Sequence, residues 1–390
     1  MKLGIWLETN YSSENNKLFC LDIYSLIINR LSEEYEIYFI GKKKDNLNAQ
    51  KYELNNYQQF YEIEPYESLV SLCLNYRSYI RRNKSILDTF VKDMDSLLIM
   101  TPSPISIELI KLAILNNKNI VLLVRQDTRS VIPQRFSGVK KIMSTIMANY
   151  LESSVENLTK RHQLKVLALG PVLAERYGKF TRRTKPFASS RYRKKDVIKP
   201  EQINDIDLNS KLRLLFVGRL EINKGIKELL LAIHRLNHID YELTIIGDGS
   251  YRKDAEVLVS QLDLSEKVVF KGYKPYSEEL LDIYRSHDIF ILPSYSEGLP
   301  QVVLEAMASG CLVFSTPVGS VPKIINHKVN GFLFKPHSVD SLVEVFNELN
   351  EVSLKEIRLA ALNTAKEYAY ENQIKVMKDC IVSNCVLTAQ

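Results

Sequence analysis

Two acids and two cations are the residues of this sequence whose types and spacing could do chemistry. Glu297 and Glu305 lie in Ser294-Tyr-Ser-Glu-Gly-Leu-Pro-Gln-Val-Val-Leu-Glu-Ala-Met-Ala-Ser-Gly310. The apolar run Ile289-Phe-Ile-Leu292 reads as a strand leading into it, and Pro293, Gly298 and Pro300 break that run into a tight loop. Pro300 suits the first turn of a helix, where its missing N–H costs nothing. Residues 301–309 read as that helix, stopped by Gly310. Glu297 then sits in the loop before the helix, and Glu305 more than a turn inside it. Unbonded backbone N–H groups and the positive end of the helix dipole open at the same place, which suits a phosphate. Ionised carboxylates accept hydroxyl hydrogen bonds, which suits a sugar. Together they describe a pocket for a sugar joined to a nucleotide diphosphate. Two acids at this spacing, taken alone, read as a surface turn followed by a helix with solvated carboxylates; the flanking sequence changes that.

The cations stand in Phe216-Val-Gly-Arg-Leu-Glu-Ile-Asn-Lys-Gly225. Gly218 and Arg219 fall at the C-terminal end of a strand, outside which open α/β sheets bind ligands. Lys224 follows at the start of a helix, where a cation opposes the dipole and needs another reason. An incoming diphosphate supplies one: Arg can hold it through two N–H bonds, Lys as a point charge. Ordinary surface cations are the competing reading. The glycine turn Ile246-Gly-Asp-Gly-Ser-Tyr251, with Gly247, also follows a strand and serves equally as a plain strand-to-helix connection. Phe270-Lys-Gly-Tyr273 follows another. No metal-ligand cluster or Asp-x-Asp pair stands among these motifs, and the six histidines are scattered. Chemistry without a metal is therefore expected, with a leaving diphosphate neutralised by Arg219, Lys224 and backbone N–H groups.

Positioning these residues takes a parallel sheet. From residue 212 onward, strand-like runs at 212–218, 242–247, 267–272, 288–292, 312–316 and 330–334 alternate with helical patterns, and two helical stretches, 339–350 and 353–385, close the chain. The first half repeats the alternation, with strands at 3–8, 36–41, 96–100, 119–124 and 165–170. Helices are expected at 17–31, 69–91, 104–115 and 139–158, and a polar loop at 10–16. Residues 42–62 are polar and carry no assignment. Such alternation argues for parallel sheets covered on both faces. Residues 179–211 lack periodicity, which places an interdomain linker around 186–210. The expected domains are 1–200 and 201–370, with 371–390 a helix packing back toward the first.

Pro293-Ser-Tyr-Ser-Glu-Gly-Leu-Pro300, Gly310-Cys-Leu-Val-Phe-Ser-Thr-Pro-Val-Gly319 and the Gly218–Gly225 segment resemble the retaining glycosyltransferases of family GT4, the glycosyl transferases group 1. The resemblance implies the GT-B arrangement: two facing Rossmann-like domains with parallel sheets and a cleft between them. The first would bind the acceptor and the second the nucleotide-sugar donor. It implies that Arg219 and Lys224 grip the donor diphosphate and steady its departure. The acid matching Glu305 would bind ribose hydroxyls and the acid matching Glu297 the transferred sugar, with the backbone of Gly298, Leu299 and Gln301 meeting donor groups. Gly218 and Gly247 would lie toward the phosphate end and Tyr273 near the base. The implied reaction moves a hexose-type sugar from a UDP- or GDP-sugar, without cofactor or metal, to a glycan or lipid-linked acceptor, as in bacterial surface polysaccharide synthesis.

The resemblance is close over 212–335 and only topological over 1–200. Two features depart from the family pattern. Its glycine pair after the first strand is replaced by Glu8-Thr-Asn-Tyr-Ser-Ser13, and its His-Asp by Gln126-Asp127. Asp127 is a catalytic candidate that could orient the acceptor hydroxyl or stabilise a positive sugar carbon. A helix N-cap, or an ion pair with Arg125 or Arg129, is the alternative. These departures leave a second reading of the chain: a glycosyltransferase-like protein that binds a glycan or partner without transfer.

Length and composition set the remaining bounds. A chain of 390 residues fits two ordinary domains, and 45% hydrophobic with 25% charged residues is a globular balance. Residues 1–200 carry a net charge of +12 and residues 201–390 a net of −6. A basic first half suits an anionic membrane surface, a phosphate-bearing acceptor or nucleic acid. No nucleic-acid module is recognisable, so nucleic acid is not an expected partner. Membrane contact is expected through residues 77–84 or 176–195. No apolar run approaches the roughly 18 residues of a membrane span, and Glu8 and Asn10 cut short the first one. Five scattered cysteines fit neither zinc nor disulfide spacing. The expectation is a cytoplasmic protein, peripheral on the inner face of the membrane.

Overall fold

The computed structural model describes residues 1–15, 17–20, 24–44, 52–67, 69–132, 137–236 and 239–382. The chain divides into two compact units, Met1–Ser189 with the chain end from Gln373, and Ser190–Asn372.

The first unit runs through β1 Lys2–Glu14, β2 Lys17–Cys20, α1 Tyr24–Leu31, β3 Glu36–Lys43, β4 Tyr52–Leu54, β5 Tyr57–Glu62, α2 Leu69–Leu74 and α3 Tyr76–Asp93. It continues with β6 Ser96–Thr101, α4 Pro104–Leu115, β7 Asn119–Val124, α5 Thr128–Val131, α6 Gly138–His162, β8 Lys165–Leu169, α7 Pro171–Gly178 and β9 Thr184–Phe187. Strands β5, β3, β1, β6, β7, β8 and β9 lie side by side and parallel. All six residues of β6 are buried, as the apolar run of a strand covered on both faces requires.

Residues 10–20 differ from the sequence expectation. The expected loop extends β1 to Glu14, and the expected helix start is β2, paired antiparallel with Tyr11 opposite Cys20 and Glu14 opposite Lys17. Leu18 and Cys20 are buried while Lys17 is exposed, a period of two that belongs to a strand. Asn15, at φ +50°, begins the turn. The unassigned stretch 42–62 contributes β4 and β5, and β9 adds a strand beyond β8.

The second unit carries β10 Leu212–Val217, α8 Ile226–His234, β11 Tyr241–Ile246, α9 Arg252–Gln261, β12 Val268–Phe270, α10 Glu278–Arg285, β13 Ile289–Leu292, α11 Gln301–Ala308, β14 Leu312–Ser315, β15 Phe332–Leu333, α12 Val339–Asn347 and α13 Leu354–Tyr368. Its sheet is wholly parallel in the order β12-β11-β10-β13-β14-β15. The strand order reverses between β10 and β13, and a crevice forms outside the carboxyl ends at such a switch point.

Residues 190–203 pack onto this second unit. The Tyr192 hydroxyl donates to the Ala365 carbonyl at 2.8 Å, and the Ile198 N–H to Ala308 at 3.0 Å. The last helix, α14 Tyr370–Val382, is fixed to the first unit, where Gln373 accepts from the Ala188 N–H at 2.7 Å and Asn119 donates to the Ile381 carbonyl at 2.8 Å.

Candidate functional site

Two loops meet at the switch point of the second sheet. The loop after β10 carries Gly218 and Arg219, then Lys224 in a single 3-10 turn, Ile222–Lys224. The loop after β13 carries Glu297 and ends in α11. Gly225 lets the two backbones touch: it sits at φ +68°, and a Cβ there would lie 2.1 Å from the Pro293 carbonyl oxygen. The Tyr295 N–H donates to the Asn223 carbonyl at 2.8 Å and ties the loops together. Tyr295 is held further by its hydroxyl, which donates to Glu228, and by its ring, stacked 3.6 Å from that of His337.

This frame brings Lys224 Nζ to 2.7 Å from Glu297 Oε1, with the two side chains only 13% and 12% exposed. The pair leaves two ammonium donors and several carboxylate lone pairs open to a ligand. Arg219, on the same loop, is largely exposed and bonds Glu221 at 2.8 Å.

Glu305 is buried in α11 at 1% exposure, so it is no solvated acid. Arg191 Nη2 donates to its Oε1 at 3.0 Å and the Tyr284 hydroxyl to its Oε2 at 3.2 Å. The Arg191 guanidinium also lies 5.0 Å from the centre of the Tyr276 ring. Burial first, and then the Glu305 charge, push the Tyr284 phenol well above its usual range, so it stays a neutral donor. Each oxygen of Glu305 has one protein donor, which leaves lone pairs for further hydroxyls. Nearby polar atoms lack partners. Ser294 Oγ, both polar side-chain atoms of Gln301, Ser309 Oγ and the Tyr276 hydroxyl are buried with no hydrogen-bond partner in the structure. Such atoms are costly to leave unpaired, and they mark where a polar ligand could complete the site.

Residues 198–371 match the family model for glycosyl transferases group 1. The match falls within the second unit. Amylovoran biosynthesis glycosyltransferase AmsK of Erwinia amylovora is 32% identical over 165 residues, 40% of this chain and 40% of that protein. The chain spans about two fifths of the length of curated relatives that it matches. Over the whole chain the likeness is one of fold. The lipopolysaccharide outer core galactosyltransferase WaaB superposes with a TM-score of 0.67 at 17% identity, covering 98% of this chain and 99% of that one. Anabaena HepE in complex with UDP and glucose gives 0.63 at 16%, covering 98% and 100%. The chain has the α/β fold with parallel sheets of the GT-B glycosyltransferases.

Elsewhere in the second unit, Gly247 closes the strand ends. It sits at φ +139°, its N–H bonds the Gly272 carbonyl at 2.8 Å, and a Cβ would lie 1.8 Å from the Gly218 oxygen. Tyr273 follows on an exposed loop. Gly298 is exposed and a Cβ there would meet nothing within 4 Å, whereas the Leu299 side chain is buried. Among the described residues no group of three or more His, Cys, Asp or Glu side chains could hold a metal ion. The chain's two Asp-x-Asp pairs, Asp93 with Asp95 and Asp205 with Asp207, lie outside these loops.

Asp127 belongs to the first unit and caps α5, accepting from the Arg129 N–H at 3.1 Å. It pairs with Arg176 at 2.7 Å, which also reaches Glu156 at 2.6 Å and Glu152 at 3.3 Å. Arg129 bonds Glu156 instead. Glu152 is fully buried and also accepts from the Thr128 N–H and hydroxyl, both at 2.8 Å. Sequence reasoning missed Arg191, Tyr276 and Tyr284 around Glu305. Nothing local points to them: Arg191 reads as one more cation of a basic stretch, and its partner is 114 residues away.

Proposed function

We propose that the chain is a retaining hexosyltransferase that uses a UDP- or GDP-sugar, without a metal or cofactor. The bond between the anomeric carbon and the donor diphosphate breaks, and its electrons leave on the diphosphate. An acceptor hydroxyl oxygen bonds the same carbon, and its proton passes to the departing phosphate. Lys224, Arg219 and the N–H groups opening α11 neutralise the leaving group, Glu297 holds the sugar and Glu305 the ribose. The observation that carries this reading is the Lys224–Glu297 pair, set at a sheet switch point beside buried polar atoms of Ser294 and Gln301 that have no partner.

The acceptor, assigned to the first unit, is a glycan or lipid-linked oligosaccharide of a surface polysaccharide. The kinship with AmsK and the fold shared with WaaB support that class. The same reading places the protein in the cytoplasm, in contact with an anionic membrane face. Donor consumption across a panel of UDP- and GDP-sugars tests the proposal, comparing wild type with Arg219→Ala and Glu305→Ala. Turnover that falls in both variants supports it; equal activity in all three removes it.

A further inference from the structure

Helix α6 carries a second apolar face that the fold does not use. One face, with Ser144, Ala148, Leu151 and Val155, is buried against the first unit. The opposite face of the first turns holds Val139, Ile142, Met143, Ile146 and Tyr150, each 52–72% exposed. Their spacing puts all five on one stripe. Scattered exposed apolar residues are ordinary, but a continuous stripe of large ones marks a contact surface. The helix is 25 residues long, about 37 Å at 1.5 Å per residue, whereas a six-residue strand such as β7 spans roughly 20 Å. It outruns the sheet it covers: Val139 and Ile142 are 72% and 63% exposed, while Met143, Ile146 and Tyr150 border a groove shared with Tyr76 and Ile107. An apolar groove of about 560 Å³ adjoins the stripe, lined by Ile107, Met147 and Leu151 among others, with Lys111.

The charges on the turns that carry this stripe are of one sign. Lys140 and Lys141 are exposed on the same turns, and no acid occurs between Gly138 and Tyr150. Neither these lysines nor Lys111 makes an ion pair within the described residues. Glu108, on the neighbouring helix, accepts from the Tyr76 hydroxyl at 2.7 Å.

We propose that this stripe docks on an anionic lipid bilayer, its apolar side chains entering the boundary between headgroups and acyl chains and its lysines meeting lipid phosphates. Charge complementarity selects this occupant. A second copy seated on the same stripe would offer these lysines no acid between Gly138 and Tyr150, and an uncharged surface would leave them without counter-charge. The inference deepens the membrane contact of the proposed function and rests on that part of it. It turns attention from residues 176–195, where Arg176 is engaged by Asp127, Glu152 and Glu156.

The test is co-sedimentation of the full chain with vesicles of phosphatidylcholine alone or mixed with phosphatidylglycerol. Wild type is compared with Ile142→Glu/Ile146→Glu and Lys140→Glu/Lys141→Glu, whose folding is checked by circular dichroism. Wild type should sediment with the anionic vesicles and not the neutral ones, and each variant should bind about tenfold more weakly or worse. Wild type left in the supernatant, or variants that sediment like wild type, would overturn the proposal. A wild-type dimer in light scattering that both variants abolish, without vesicle binding, would assign the face to a second copy instead. Donor consumption in solution should be equal in all three proteins. Its absence from wild type would count against the transferase reading and leave the vesicle result standing.

Discussion

Lys224 and Glu297, 73 residues apart in the chain, form an ion pair of 2.7 Å whose two side chains are almost wholly out of water. The loops that carry them follow β10 and β13, the neighbouring strands at which the sheet order reverses. The pair is therefore a product of topology, and it stands where a parallel sheet offers its ligand crevice.

Breaking the pair should have separable effects on stability and turnover. Lys224→Ala leaves a mostly buried carboxylate without its cation and should cost roughly 1–3 kcal/mol of stability in urea unfolding. Donor turnover should fall by about a hundredfold, because the departing diphosphate loses its nearest cation. The double variant Lys224→Ala/Glu297→Ala should regain part of the lost stability and none of the turnover. Strictly additive stability losses would show that the two side chains are not coupled.

Glu305 makes a different prediction, because Arg191 and Tyr284 already bond it. Removing Arg191, the ionic partner, should destabilise the second unit by about 3 kcal/mol. A purely structural pair would end there. If Glu305 also holds ribose hydroxyls, wild type should prefer a ribonucleotide donor over its 2′-deoxy analogue by at least about tenfold. That preference should vanish in a folded Glu305→Gln protein. An unchanged preference in Glu305→Gln would leave Glu305 as a packing residue.

Two glycines separate backbone demands from ligand demands. Gly247→Ala forces a Cβ to 1.8 Å from the Gly218 oxygen at φ +139°, so a large fall in melting temperature should accompany any loss of binding. Gly298→Ala meets nothing within 4 Å. Its melting temperature should hold while its donor KM rises, if the backbone there approaches the donor. A Gly298→Ala protein with wild-type KM would place the donor elsewhere.

The sequence made the β13–α11 segment readable because each boundary is local: a short apolar run, Pro293, Pro300 at the helix start and Gly310 at its end. Residues 10–20 were misread because the Ser- and Asn-rich stretch has loop composition, and its pairing with β2 and β3 is tertiary. The partners of the site acids were not legible for the same reason. Glu152, fully buried in the middle of α6, shares the core spacing of Ala148 and Val155, but its partners Thr128 and Arg176 lie 24 residues away on either side. Arg191 reaches Glu305 only because residues 190–203 pack onto the second unit.

Asp127 is the first-unit residue for which structure and chemistry compete. Its carboxylate caps α5 and pairs with Arg176. On that geometry Asp127→Asn should cost about 1 kcal/mol, since asparagine still caps a helix, and should leave most of the transfer to acceptor. Arg176→Ala should cost more, about 3–5 kcal/mol, because Glu152 would stay buried without its cation. A collapse of transfer in a stable Asp127→Asn protein, with donor binding intact, would instead make Asp127 catalytic.

The central claim is that the crevice beside Lys224 and Glu297 binds a nucleoside diphosphate. Calorimetric titration of UDP and GDP into wild type and Lys224→Ala tests it most directly. The account predicts saturable binding of one of them to wild type and at least about tenfold weaker binding to the variant. No heat from either nucleotide at millimolar concentration, or equal affinity in the two proteins, would contradict it.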